Sequence, residues 1–175
     1  MPKIKADYEI RLAVPVDATA MPEIELSSGE AFRAVPGLEW IADDEITSET
    51  AFVKPIAAGT VWVAARGPTL AGFVAAERHE DDLHIWQASV LHDLQGQGLG
   101  RRLLAAAIDH ARAEGLGAVT LTTFRDLAWN APFYASLGFA IVEPVEAGER
   151  LCAVLNAEAA RGLPVERRCA MRLIL

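Results

Sequence analysis

The sequence predicts an α/β (α+β) fold in which a mixed, mostly antiparallel sheet of about seven strands carries helices on both faces. Three observations predict it. Residues 83–114 read as a strand, a glycine-punctuated loop and a long amphipathic helix. The apolar run at residues 118–122 can pair in parallel with the strand before it, because a helical crossover separates the two. Upstream, short β-type runs meet at Gly67-Pro68 and at His79-Glu80-Asp81-Asp82, which reads as a meander of antiparallel hairpins.

Along the chain, residues 8–13 alternate as a first strand that stops at Pro15, and Asp17 is placed to cap the turn or helix that follows. Residues 21–35 read as a helix with Pro22 in its opening turn and Ile24, Phe32 and Val35 among its apolar positions; Pro36-Gly37 ends it. Residues 38–46 read as an acid-rich loop. Thr47 or Ser48 with Glu49 is expected to cap a second helix running to about Ala58, closed by Gly59. Strands follow at 61–66 and 70–78. In the central strand Leu83, Ile85 and Gln87 alternate with His84, Trp86 and Ala88, the pattern of a half-buried strand ending near Val90. From Leu99 the period changes. Leu99, Leu103, Leu104, Ala107, Ile108 and Ala111 paint one face of a helix that Gly115 can terminate. Residues 139–143 supply another strand, Pro144 ends it, residues 147–161 read as a helix, and 168–175 as a closing strand.

At 175 residues and 52% hydrophobic composition, a single domain over 1–175 is expected. The longest apolar windows fall well short of the roughly 18 residues a membrane span needs, so no membrane partner is expected. Residues 1–7 lack an apolar core or a cleavage site, which makes the cytoplasm the expected location. A formal net charge of −8 argues against nucleic acid and allows a cationic substrate. Cys152 and Cys169 have no neighbouring His or second close Cys, and read as reduced and structural. His79, Glu80, Asp81, Asp82 and His84 read as a polar hairpin, and no metal is expected. Trp40, Trp62, Trp86 and Trp129 read as core residues or as lining for an acceptor cleft. A homodimer is compatible with the sequence.

The chemistry centres on Gln95-Gly96-Gln97-Gly98-Leu99-Gly100. A glycine loop opening a helix presents unpaired N–H groups at the positive end of the helix dipole, so it is built to receive an anion such as phosphate. Arg101 and Arg102 add positive charge in the first turn, where bound anion or solvent are both possible partners. A nucleotide P-loop needs a Lys and a hydroxyl that are not here, and a dinucleotide fingerprint needs its third glycine one residue later and an acid downstream. Gln95, Gly98 and Gly100 do match the Gln/Arg-x-x-Gly-x-Gly/Ala pattern. In that respect the loop resembles the acyl-CoA pyrophosphate loop of the GNAT superfamily of N-acetyltransferases. Downstream, Asn130-Ala131-Pro132-Phe133-Tyr134 followed by Leu137-Gly138-Phe139 is similar to the second signature of that superfamily. The resemblance covers at least residues 60–143.

The resemblance implies a GNAT-like sheet whose last two strands form an antiparallel pair, and acetyl-CoA as co-substrate, with no metal. It implies that backbone amides of residues 95–101 hold the pyrophosphate: Gln95, Gly96, Gln97, Gly98, Leu99, Gly100 and Arg101. It implies further that Ser89 and Val90 pair with the pantetheine arm, that Asn130 contacts that arm, and that Tyr134 gives a proton to the leaving sulfur. Asn130 as a plain helix cap and Tyr134 as a packing residue are the alternatives. The strand position where an acid is common in the superfamily holds Gln87, which cannot take a proton. Glu77, His79, His84, Glu25 and Glu30 are the candidate bases, beside solvent. The implied activity is acetyl transfer to a primary amine by direct attack, the amine being small or part of a peptide. The competing reading is a catalytically silent acyl-CoA-binding or interaction protein.

Overall fold

The computed structural model describes residues 7–175. Residues 1–6, on which most of the leader-free reading rests, lie outside them. The elements are β1 (Glu9–Leu12), α1 (Met21–Gly29), α2 (Thr50–Ala57), β2 (Val61–Arg66), β3 (Thr69–His79), β4 (Asp82–Val90), α3 (Leu99–Ala113), β5 (Ala118–Phe124), α4 (Ala131–Ala135), β6 (Ala140–Val142), α5 (Pro144–Ala160) and β7 (Arg168–Ile174). The strands form one seven-stranded sheet in the order β1-β2-β3-β4-β5-β7-β6. The described chain falls into two compact units, one holding residues up to Glu77 with Gln87–His110, the other Arg78–Trp86 with Ala111–Leu175.

In the first unit β1, β2 and β3 pair antiparallel, with a register shift between Ala64 and Ala65. Val63 stands opposite Phe73, so the two share a face, and Phe52 of α2 meets Phe73 edge-on at 5.2 Å. Trp62, one residue along and therefore on the other face, meets His110 of α3 at 5.3 Å. Trp62 of β2 and Phe73 of β3 thus place one large aromatic on each face. A helix covers each. Phe52 and Phe73 are fully buried, and truncating either costs about 3–5 kcal/mol.

In the second unit Asp82–Ile85 of β4 pair in parallel with Ala118–Leu121 of β5. β7 pairs antiparallel with β5 along its whole length and with β6 on its other side. The last two strands are antiparallel as expected, and β7 lies between β5 and β6. The 17-residue α5 supplies the return path. Ala147 and Leu151 of α5 pack with Ala170, while Arg172 donates to the carbonyls of Glu146 and Ala147 at 3.3 and 3.2 Å.

Several boundaries differ from the sequence reading. The first helix ends at Gly29 and the chain continues as a 3₁₀ turn, Glu30–Ala34. The segment read as a loop holds another 3₁₀ turn, Glu39–Asp43, because Leu38 and Ala42 are buried there. α2 starts at Thr50. Thr47 does not cap it, since its N–H and hydroxyl are drawn to the Glu25 carboxylate, at 2.9 and 3.2 Å. α5 begins at Pro144, whose fixed φ suits a first helical position, and is kinked where Gly148 adopts φ 81°. Asp17 does cap, reaching back to the Val14 N–H at 2.8 Å while pairing with Arg11. Trp62 is a core residue as expected, whereas Trp40 and Trp129 are exposed.

Candidate active site

The glycine loop leaves β4 at a point where β3 comes unusually close. A β-carbon on Gly72 would stand 2.7 Å from the Ser89 carbonyl oxygen and 3.2 Å from the Val90 Cα, so only glycine allows that approach. The Leu91 N–H then donates to the Ala71 carbonyl at 2.8 Å, which fixes the exit of the strand. Ser89 is buried and its hydroxyl accepts from Gln87 Nε2 at 2.9 Å. The C-terminal end of α1 braces the loop. Ser27 Oγ accepts from the His92 N–H at 3.0 Å, and Gln95 Nε2 reaches both the Ser28 carbonyl (3.4 Å) and the Val90 carbonyl (3.1 Å).

Gly96 and Gly98 have φ of 72° and 86°. A β-carbon at either would meet nothing within 4 Å, so glycine is required there by the left-handed backbone and not by space. The result is a run of N–H groups, Gly96 through Gly100, that donate to no acceptor among the described residues. The N–H of Gln95 differs, donating to the His92 carbonyl at 3.2 Å, and Arg102 Nη2 is turned onto the Tyr8 carbonyl at 2.6 Å. Arg101 is exposed. Open donors at the start of a 15-residue helix match the requirement for an anion cradle.

In the second unit, Asn130 stands just before α4 with Pro132 in the first turn. Its side chain does not cap the helix. Instead Asn130 Oδ1 accepts from Thr123 Oγ1 at 2.7 Å, and Asn130 Nδ2 is buried with no hydrogen-bond partner among the described residues. The plain capping alternative for Asn130 is therefore not what the side chain does. Tyr134 lies one turn further on, half-buried, its ring 5.4 Å from Phe133 and 5.9 Å from Phe139. Its hydroxyl makes no hydrogen bond among the described residues. Burial pushes its pKa up to about 12, partly opposed by the Arg168 guanidinium.

The sequence model of the acetyltransferase (GNAT) family matches residues 30–139, a stretch that includes both the glycine loop and the Asn130–Tyr134 segment. This chain belongs to the GNAT acetyltransferase family. Solved structures share the fold. The PaiA N-acetyltransferase of Thermoplasma acidophilum, in complex with coenzyme A, is 16% identical with a TM-score of 0.70, covering 97% of this chain and 99% of its own. The ribosomal-protein-S18-alanine N-acetyltransferase of Escherichia coli is 21% identical at a TM-score of 0.66, covering 96% and 94%. A putative acetyltransferase of Salmonella typhimurium with acetyl-CoA is 21% identical at 0.66, covering 97% and 95%.

Of the base candidates in this GNAT member, most are engaged elsewhere. Glu25 holds Thr47, and Glu30 pairs with Arg33, whose hydrogen bonds keep its carboxyl below the usual range and so make it a weaker base. His84 is buried, not on an exposed strand face: its Nδ1 is 3.0 Å from Thr120 Oγ1, and desolvation with the nearby Arg150 and His79 charges lowers its pKa to about 4. That strand is covered on both faces between Leu83 and Ile85. His79 is half-buried 6.3 Å from His84, and Glu77 is exposed. The residues that sequence reasoning missed are Thr123 and Gly72. A threonine seven residues ahead of Asn130 and a lone glycine inside a strand were the available signals.

Proposed function

We propose that this GNAT member transfers the acetyl group of acetyl-CoA to a primary amine by direct attack. When bound, acetyl-CoA supplies an acyl group activated as a thioester. The open N–H groups of Gly96–Gly100 would hold its pyrophosphate, and the Ser89–Val90 strand end would meet its pantetheine arm. The observation that carries this reading is the buried, unpartnered Asn130 Nδ2. A buried donor without an acceptor is costly in a folded protein and is best understood as waiting for a ligand oxygen.

Tyr134 is the proposed general acid. With a pKa of about 12 the phenol is protonated at neutral pH, as an unburied tyrosine is too, so a proton is present for the departing sulfur. The attacking amine must arrive as the free base. Gln87 cannot take its proton, and its amide is bonded to Ser89, so solvent is the proposed acceptor. The net charge of −8 favours a cationic amine, small or on a peptide, and the reading places one catalytic domain in the cytoplasm.

Tyr134→Phe tests the assignment. Turnover should fall about 100-fold or more while acetyl-CoA affinity stays close to that of the wild type. Unchanged turnover under conditions where chemistry limits the rate removes Tyr134 from the mechanism. The glutamine at position 87 is also what a silent acyl-CoA binder would tolerate, and such a protein would bind acetyl-CoA without releasing thiol to any amine.

A further inference from the structure

We infer that Thr123 is a positioning residue that fixes the Asn130 carboxamide with its amino group presented to a carbonyl oxygen of the pantetheine arm; this rests on the acetyl-CoA reading above. Thr123 sits on β5, 3% exposed, paired with Cys169 of β7. Its Oγ1 donates to Asn130 Oδ1 at 2.7 Å. A carboxamide can be turned end for end, and the two orientations are not equal here. As it stands, the Thr123 hydroxyl proton has an acceptor and one group, Asn130 Nδ2, lacks a partner. Turned over, Asn130 Nδ2 would donate to Thr123 Oγ1, which would strand both the Thr123 hydroxyl proton and Asn130 Oδ1. One orphan is cheaper than two.

The orientation decides what the site recognises. With Oδ1 occupied by Thr123, Asn130 can only donate outward, so it selects an acceptor. The pantetheine arm carries amide carbonyl oxygens that fit this requirement, whereas the nucleotide end of coenzyme A is the province of the glycine loop. Without the Thr123 hydroxyl, the carboxamide is free to turn and present its oxygen, which repels a carbonyl. The loss falls on the arm alone.

The test compares binding of coenzyme A and of adenosine 3′,5′-bisphosphate, which lacks the arm, by calorimetry on the full chain. Thr123→Val should weaken coenzyme A about three- to tenfold and leave the bisphosphate unchanged. Thr123→Ser, which keeps the donor, should bind both as the wild type does. On an Asn130→Ala background Thr123→Val should have no further effect, because the two residues act as one unit. Should valine disturb β5, Thr123→Ala gives the same comparison. Wild-type affinity for coenzyme A in Thr123→Val, equal weakening of both ligands, or full additivity with Asn130→Ala would each overturn the inference. Binding of neither ligand by the wild type would overturn the acetyl-CoA reading, and this inference with it.

Discussion

Gly98 offers a substitution pair that separates backbone strain from charge. At φ 86°, an alanine there pays about 1–2 kcal/mol for the left-handed conformation, with no clash added because its β-carbon meets nothing within 4 Å. For a chain of this size that is a loss of about 2–8 °C in Tm. Asparagine tolerates the left-handed region better, so Gly98→Asn should melt closer to the wild type. Aspartate has nearly the same shape and adds one negative charge. At roughly 5 Å from a pyrophosphate charge, with an effective dielectric between about 20 and 80, the repulsion is about 1–3 kcal/mol per phosphate charge. Gly98→Asp should therefore bind coenzyme A about fivefold to more than 100-fold more weakly than Gly98→Asn at similar stability, and the gap should narrow as salt is added. Calorimetric titration of the two variants at low and high salt measures it. Equal affinity of the aspartate and asparagine variants would refute the phosphate assignment of this loop.

Two further predictions concern the second unit. His84 has a folded pKa of about 4 against an unfolded value of 6.5, so between those values the unfolded chain binds a proton that the folded chain does not; stability is full above about 6.5 and falls as pH drops toward 4, by up to about 3 kcal/mol. His84→Gln should flatten that part of the urea-denaturation profile, and an unchanged slope would contradict a buried neutral His84. Arg150→Met removes the 2.8 Å bond to Asp82 and the 3.1 Å bond to Thr120 and leaves the partly buried Asp82 carboxylate without this partner, at a cost of about 1–2 kcal/mol in thermal melts. Adding Asp82→Asn should recover part of that loss, and a double variant less stable than Arg150→Met alone would count against the pairing.

The parts of the fold that the sequence made legible are those written in periodicity and in glycine. The switch from alternation to an i, i+4 face at Leu99 marked α3, and Gly96 and Gly98 stand where positive φ is needed. Asn130 and Tyr134 were legible because a motif fixes their spacing. Other features depend on contacts between distant residues. His84 reads as a polar face residue, whereas in the fold it is buried and α5, which begins at Pro144, brings Arg150 near it. The 3₁₀ turn at Glu39–Asp43 carries three charged or aromatic positions, Glu39, Trp40 and Asp43, that look like loop, and only the burial of Leu38 and Ala42 explains its order. No spacing rule announces that Thr123 meets Asn130, because β5 and the start of α4 are joined by a turn with no regular period. Gly72 is visible as a strand glycine, yet its reason, the 2.7 Å approach to the Ser89 carbonyl, exists only once β3 and β4 are side by side.

The central claim is acyl transfer, and the most direct test is thiol release from acetyl-CoA by the purified wild-type chain across polyamines, aminoglycosides, amino acids and peptides with free N-termini. The account predicts release that depends on one class of amine and yields the acetylated amine in equal amount. Tight acetyl-CoA binding without release to any amine would contradict it and leave a protein that binds the co-substrate and does no chemistry on it.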